Sequence, residues 1–182
     1  MDIKLLDNTT DIRESFINRF VMSWGVFQVE LKDFIANMEK KNYLIDIAFY
    51  ERSYMWDRMS PDFPRVSMKE ALMFLREHSG PVLFMSDNEE VPCYRGQMPV
   101  AFIAEADAHM LADRIEQEWY DSYRLAEQNM YDPNAFLPYD LYVFDSSMTW
   151  CAVFTHETTD WESEIDNPMK AAESRYCIVC QI

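Results

Sequence analysis

Two cysteines near the end of the chain have the spacing of a zinc or redox site. Cys177-Ile-Val-Cys180 matches C-x-x-C, but such sites need both sulfurs on one side of a turn. Ile178 and Val179 indicate a strand, in which positions three apart face opposite sides of a sheet. The sequence has no second C-x-x-C and no histidine pair to complete four ligands. We therefore expect these cysteines to be structural thiols, and we expect no bound metal or cofactor.

One histidine has neighbours suited to acid–base catalysis. His156 and Glu157 stand at the end of a predicted strand, and Asp145 lies across a predicted hairpin. A strand end can hold a general acid or base. No motif places a serine or cysteine nucleophile beside this histidine, and a lone histidine is more often a hydrogen-bonded structural residue. Catalysis at His156 is therefore kept as an alternative, and no catalytic residue is assigned.

Three polar residues are spaced four apart. If Glu105, His109 and Asp113 all lie on one helix, they share a face that could hold a divalent metal ion. A polar stripe opposite an apolar one is, however, the usual pattern of any amphipathic helix. H-E-x-x-H spacing is absent as well, so no metal site is predicted here.

An alternating acidic segment follows at residues 160–166. If this segment is extended, its four carboxylates point one way, about 6.6 Å apart along the strand. Phosphates of one DNA strand advance by about 3.4 Å along the axis, so the row would match every second phosphate. The alternative is an ordinary solvated loop. We interpret the row as a partner-binding surface with an aromatic anchor, and its members are Asp160, Trp161, Glu162, Glu164 and Asp166.

Charge is concentrated in the second part of the chain. Residues 101–182 carry a net charge of −12, against −4 for residues 1–100, within a total of −16. This charge disfavours nucleic acid and anionic membranes as direct partners and favours a basic protein. The alternative is that acidity serves solubility alone. With only 3 glycines, the 182-residue chain also has no phosphate-binding Gly-x4-Gly-Lys spacing.

The longest predicted helix opens at Asp107 and runs to about residue 131. Its inner stripe consists of apolar residues at helical spacing, and its other faces are mainly acidic. The inner stripe is Leu111, Ile115, Trp119, Tyr123, Ala126 and Met130. The acidic residues that we assign to partner binding on this helix are Asp113, Glu116 and Asp121.

The remaining elements predict an α+β fold. Helices are expected from a capping box at Asp11 and Glu14, after Gly25, and from a capping box at Ser67 and Glu70. The last of these helices includes Leu72, Met73 and Leu75. Strands are expected at residues 43–50, 82–85, 100–103, 140–145, 149–157 and 175–182, with a loop at 51–65.

These elements give N-terminal helices and a mostly antiparallel sheet with a C-terminal hairpin. We predict one domain over residues 1–182, with residues 1–42 as a helical appendage in the alternative division. The N-terminus has neither the basic region nor the apolar region of a signal peptide. No apolar run reaches the length of a membrane span. The expected location is the cytoplasm of a bacterial host cell, where the thiols stay reduced.

Two stretches of the chain resemble a known group of proteins. They are residues 118–131 (EWYDSYRLAEQNMY) and residues 139–162 (YDLYVFDSSMTWCAVFTHETTDWE). They resemble small acidic proteins carried by phages and other mobile elements of gut Firmicutes, among them anti-CRISPR inhibitors of type II-A Cas9. The resemblance implies an inhibitor that binds Cas9 with its guide RNA and suppresses DNA recognition or cleavage. It carries over no individual functional residue.

Three functions therefore remain open on the sequence. The first is a non-enzymatic inhibitor of a basic nucleic-acid-handling protein, with a Cas9-type nuclease as the partner. The second is an immunity protein that neutralises a nuclease toxin, which composition does not separate from the first. The third is an enzyme that uses His156 with Glu157 or Asp145.

In the first two, an apolar anchor such as Trp161 or Trp56 must slow dissociation, because complementary charge mainly speeds association. The sequence does not fix the oligomeric state.

Overall fold

A computed structural model describes residues 2–7, 9–22, 55–86, 103–126, 137, 140–155 and 176–182, without the side chains of residues 120–126. Within these ranges the fold is α+β, as predicted. The helices are α1 (Thr10–Phe20), α2 (Met68–Glu77) and α3 (Ala108–Ala126), with a 3-10 turn at Met55–Arg58. The strands are β1 (Lys4–Leu5), β2 (Arg65–Val66), β3 (Pro81–Ser86), β4 (Ile103–Asp107), β5 (Leu141–Phe144), β6 (Trp150–Phe154) and β7 (Cys177–Gln181).

The seven strands of the described ranges form one sheet in the order β1-β4-β3-β5-β6-β7-β2. Every strand pair is antiparallel. The predicted hairpin is confirmed as β5 and β6, and the predicted last strand is β7. Strands β1 and β2 at the two edges are only two residues long, which leaves little edge backbone for pairing with another chain.

Both faces of the central sheet are buried. On one face, Phe84, Val143 and Ala152 belong to a core that includes apolar residues of α2 and α3. On the other face, Met85, Tyr142 and neighbouring residues are also almost fully buried. Every residue of β5 and β6 is buried. A continuous apolar strand is typical of a sheet covered on both sides.

Helix α2 begins where its capping box predicts. The Ser67 hydroxyl accepts a hydrogen bond from the Glu70 backbone N–H at 3.2 Å, and the Glu70 carboxylate accepts one from the Ser67 N–H at 2.8 Å. The helix ends at Glu77, and Gly80, with φ +89°, turns the chain into β3. Because Gly80 has no Cβ, this left-handed conformation costs it little.

Several predicted boundaries were wrong. Helix α1 begins at Thr10, so Asp11 lies inside the first turn and does not cap the helix. Strand β4 covers Ile103–Asp107 and so continues past Ile103, where the predicted strand ended, because its alanines pair in register with β3 despite their low strand propensity. Residues 100–102 of the predicted strand lie outside the described residues. The predicted loop at residues 51–65 includes the 3-10 turn Met55–Arg58.

Residues Thr10–Asp62 form a compact unit of their own, and residues 1–9 with 63–182 form the other. In the first unit, Phe16 and Phe20 contact each other with ring centroids 4.9 Å apart, and Val21 forms a bridge with Met59. In the second, β1 joins the sheet although it lies within the stretch expected to be helical.

The helix expected after Gly25 and the strand at residues 43–50 lie outside the described residues. No helix in the described part is long and apolar enough to cross a membrane.

Candidate partner-binding surface

The structure describes only part of the predicted partner-binding set. The alternating acidic row, with Asp160, Trp161, Glu162, Glu164 and Asp166, lies outside the described residues, as do His156 and Glu157. Asp121 lies in α3, where its backbone alone is described. Asp113 and Glu116 are described in full. The surface around these two carboxylates is therefore the candidate site considered below.

The start of α3 fixes the position of this surface. As predicted, Asp107 opens the helix, since its carboxylate accepts a hydrogen bond from the Met110 N–H at 3.0 Å. The Ala108 N–H donates to the Gly80 carbonyl at 3.0 Å, which ties the start of α3 to the turn after α2. The predicted inner stripe is buried at Leu111, Ile115 and Trp119. Asp113 and Glu116 are therefore held on the outer side of α3, next to α2.

Arg76 of α2 holds both carboxylates. Its Nη2 atom donates to Asp113 Oδ1 at 2.7 Å and to Glu116 Oε2 at 2.6 Å. The Asp113 side chain remains 73% exposed and the Glu116 side chain 40% exposed. The hydrogen bonds that Arg76 donates to Glu116 and Asp113 raise the pKa of Arg76, so the guanidinium stays charged. Exposed ion pairs contribute only about 0–1 kcal/mol to folding, so this contact adds little to the stability of the fold.

Two exposed methionines lie beside the ion pair. Met73 precedes Arg76 by three residues on α2, and Met110 precedes Asp113 by three on α3, so each shares a helix face with its charged neighbour. The exposed fractions of Met73 and Met110 are 55% and 47%. Helix α2 includes Leu72, Met73 and Leu75, as predicted. Leu72 and Leu75 are buried on its inner face, and Met73 is not.

Other carboxylates of the acidic half have structural partners. Glu118 is buried and accepts hydrogen bonds from Arg114 Nε at 2.6 Å and from the Leu137 N–H at 3.1 Å. Asp145 accepts hydrogen bonds in the β5–β6 turn, the shortest from the Thr149 N–H at 2.7 Å. These side chains contribute to the charge count, but their oxygens are engaged inside the fold. Composition therefore overstates the negative surface that a partner can reach.

The strand register fixes the position of Asp145 in the β5–β6 hairpin. Phe144 is opposite Cys151, and Leu141 is opposite Phe154. Asp145 thus lies at the turn end of the hairpin, while Thr155, the residue before His156, lies at the other end. The rise from Cys151 to Thr155 along the strand is about 13 Å. His156 lies outside the described residues, so its pairing with Asp145 stays a prediction.

The structure also bears on the possible metal-binding face and on the C-x-x-C cysteines. Glu105 lies in β4 and not in the helix, so it does not share a helix face with His109 and Asp113. No group of three potential ligands occurs within the described ranges. Cys177 faces the helix-side core, and Cys180 lies opposite Cys151 in the sheet. Burial raises the pKa of the Cys177 thiol to about 12, so it is protonated at neutral pH and is a poor ligand or nucleophile.

His78 lies just after α2, beside two aromatic side chains, and is sensitive to pH. Its ring stacks on Trp150 with centroids 4.1 Å apart, and Phe74 meets it edge-on at 4.9 Å. The Nε2 atom is buried and has no hydrogen-bond partner among the described residues. Burial lowers the pKa of His78 below 6.5, although Glu77 and Asp145 act in the opposite direction. The folded state therefore favours the neutral ring.

Acidification is expected to destabilise the protein through His78. Because the folded pKa lies below the unfolded one, the unfolded chain takes up the proton more readily. This contribution is complete above about pH 6.5 and is lost as pH falls through the folded pKa. The free energy of unfolding in urea should therefore fall as the pH drops below about 6.5, and His78→Phe should reduce that fall. His109→Gln is the control, because His109 is exposed. Equal pH dependence in His78→Phe and the wild type would contradict the assignment.

Comparison of the chain with protein-family models, curated proteins and solved structures finds no match.

Proposed function

We propose that this chain is a non-enzymatic acidic inhibitor that binds a basic nucleic-acid-handling protein. The proposed partner is a Cas9-type nuclease with its guide RNA, whose DNA binding or cleavage the inhibitor suppresses. The observation that carries the proposal is the net charge of −12 in residues 101–182. The resemblance of residues 118–131 and 139–162 to mobile-element inhibitors supports the same partner.

The physical basis is competition for a basic channel. Cas9 holds the guide–target heteroduplex in a positively charged channel and contacts its backbone, not its sequence. A carboxylate surface that occupies this channel would exclude nucleic acid by mass action and would need no reaction. Because Glu118 and Asp145 serve as hydrogen-bond acceptors within the fold, the carboxylates proposed for contact are the exposed Asp113 and Glu116. The acidic row at residues 160–166 joins them on the strength of its sequence pattern alone.

Charge and apolar contact play different parts in this proposal. Complementary charge speeds association and is screened beyond about 8 Å at physiological salt. Slow dissociation requires desolvated apolar contacts. Met73 and Met110 supply such contacts beside the carboxylates, and Trp161 is the corresponding residue in the acidic row. The association rate should therefore fall steeply with salt, while the dissociation rate changes little.

The test is binding to a guide-loaded type II-A Cas9, followed by DNA cleavage. In the first variant, Asp160→Asn, Glu162→Gln, Glu164→Gln and Asp166→Asn neutralise the acidic row. The matched control loses the same charge at four exposed sites elsewhere, Asp2→Asn, Asp11→Asn, Glu14→Gln and Asp62→Asn.

The row variant should associate about tenfold more slowly at low salt and inhibit cleavage less, since local charge steers the encounter. The control should change the rate by less than about twofold. Failure of the wild type to bind would overturn the choice of partner. Equal rates in the row variant and the control would show that the row is not the contact surface. Binding instead to a basic nuclease that lacks guide RNA would favour an immunity protein.

A further inference from the structure

We infer that Cys151 and Cys180 are a reversible redox pair, which hydrogen peroxide oxidises to a disulfide between β6 and β7. The inference goes beyond the proposed function and does not depend on it. The observation that carries it is the strand register, which places the two cysteines directly opposite each other. Both side chains are buried thiols.

The fold pairs Cys180 with Cys151 and not with the other cysteine of its C-x-x-C motif. Cys177 and Cys180 are three positions apart in β7, so their side chains leave opposite faces of the sheet. Cys177 belongs to the core on the helix side. Residues directly opposite each other on antiparallel strands share a face, so the side chains of Cys151 and Cys180 meet. One of these two thiols donates a hydrogen bond to the other.

The spacing of the two strands suits a disulfide at this position. The Ile182 N–H donates to the Thr149 carbonyl at 2.8 Å, which marks these two residues as a hydrogen-bonded pair. Hydrogen-bonded and non-hydrogen-bonded pairs alternate along antiparallel strands, so Cys151 and Cys180, two positions further along, are again hydrogen-bonded. The Cα atoms of such a pair are about 5.5 Å apart. Disulfides join residues whose Cα atoms are about 4.4–6.8 Å apart, so the bond requires little backbone movement.

Hydrogen peroxide accepts the electrons, and Cys180 is the cysteine that meets it first. Cys180 is 3% exposed and precedes the exposed Gln181, whereas Cys151 is fully buried. The Cys180 thiolate attacks one peroxide oxygen and the O–O bond breaks, which gives a sulfenic acid and hydroxide. The Cys151 sulfur then attacks the sulfenic sulfur, so that the S–S bond forms and the S–O bond breaks. Two electrons pass from the sulfurs to the peroxide, and the two thiol protons end in the two water molecules released.

The setting of Cys151 suits the second of these steps and not the first. Burial, together with the contact to Cys180, raises the pKa of the Cys151 thiol, so it stays protonated at neutral pH and is a poor nucleophile toward peroxide. Once Cys180 is a sulfenic acid, Cys151 is already in contact with it. The disulfide therefore forms in preference to the sulfinic acid, and a small thiol reverses it by thiol–disulfide exchange.

The test is oxidation of the folded chain by hydrogen peroxide, followed by alkylation of the remaining thiols and peptide mapping. The wild type should yield a cross-linked pair of peptides, two hydrogens lighter than their sum, that holds Cys151 and Cys180. Cys151→Ala and Cys180→Ala should lose this product. The matched control is Cys177→Ala, which removes a buried thiol from the other face of β7 and should keep it. A double variant, Cys93→Ala with Cys177→Ala, retains only the proposed pair and should cross-link like the wild type.

The second readout is the melting temperature of the oxidised sample before and after treatment with dithiothreitol, which reduces disulfides but not methionine sulfoxide. The disulfide should raise the melting temperature by about 5 °C, because it constrains the unfolded chain. Cys151→Ala should show no such difference, and Cys177→Ala should show it in full.

Three results would overturn the inference. They are a native link that runs through Cys93 or Cys177, oxidation that stops at sulfinic or sulfonic acid, and a disulfide form that melts below the reduced form. If a single variant fails to fold, the peptide map of the wild type decides the question, and absence of the link between Cys151 and Cys180 would overturn the inference. Binding to Cas9 enters none of these measurements, so their outcome is independent of the proposed function.

Discussion

Replacement of Glu118 by alanine is expected to lower the free energy of unfolding by about 3 kcal/mol, because a buried charged acceptor is lost. Glu118 is only 4% exposed and lies on α3 between Arg114 and the backbone of Leu137. Its two oxygens serve different partners, one on its own helix and one 19 residues further along the chain. Glu118 thus holds the chain at Leu137 against α3.

The expected loss of stability in Glu118→Ala follows from the two hydrogen-bond donors that lose their acceptor. The Leu137 N–H is bonded in a buried setting, and an unsatisfied buried donor costs about 1–3 kcal/mol. The Arg114 guanidinium, two thirds buried, also loses its carboxylate. Glu118→Gln keeps an oxygen that can accept from Leu137 but removes the charge that Arg114 binds. It should therefore lose about half as much stability as Glu118→Ala.

Glu116→Ala is the matched control for this measurement. Glu116 lies on the same helix and also binds an arginine, but its side chain is 40% exposed. Loss of an exposed ion pair costs about 0–1 kcal/mol. Urea unfolding followed by circular dichroism would measure both variants, with the m-value as the check that the same structure unfolds. Similar losses in the two variants would contradict the structural role of Glu118.

Local patterns in the sequence predicted the elements that frame the site. The capping box at Ser67 and Glu70 sets the start of α2, and Leu111, Ile115 and Trp119 mark the inner face of α3. Both signals depend on residues within a few positions of each other, where helical geometry fixes the neighbours. The two apolar runs around residues 146–148 likewise predicted the β5–β6 hairpin.

The contacts that define the site depend on residues far apart in sequence. Arg76 is 37 and 40 residues from the carboxylates that it binds, and no local pattern reports such a pairing. The expected helix face with Glu105 failed for a related reason. Pairing with β3 draws Glu105 into β4, and the helical spacing from Glu105 to His109 has no meaning across a strand-to-helix boundary.

The use of carboxylates inside the fold changes how the acidity of the chain should be interpreted. Glu118, Asp145 and Asp113 contribute equally to the net charge of the chain. Of these three residues, only Asp113 exposes most of its side chain to solvent. Hydrogen bonds to backbone N–H groups hold the negative charge of Glu118 and Asp145 within the structure. A partner would meet the exposed carboxylates, and Arg76 already screens two of them.

Replacement of Asp145 by alanine is expected to lower the free energy of unfolding by about 2 kcal/mol, as loss of a strong capping residue does. Asp145 Oδ1 accepts hydrogen bonds from the Thr149 and Trp150 N–H groups, and Oδ2 accepts from the Ser147 N–H and the Thr149 hydroxyl. The turn also holds Met148 at φ 54°, a conformation that is unfavourable for a methionine. Loss of the carboxylate should therefore loosen the whole turn.

The measurement is again urea unfolding, with Asp62→Ala as the control. Asp62 is exposed, and its replacement should change stability by less than about 0.5 kcal/mol. Well below its melting temperature, the Asp145→Ala protein should still inhibit Cas9 at the wild-type level. Both carboxylate oxygens of Asp145 accept hydrogen bonds within the turn, so we expect Asp145 to have a structural role and not an acid–base one. Loss of inhibition in a folded Asp145→Ala protein would reopen the acid–base interpretation. A stability loss no larger than that of Asp62→Ala would contradict the turn as described.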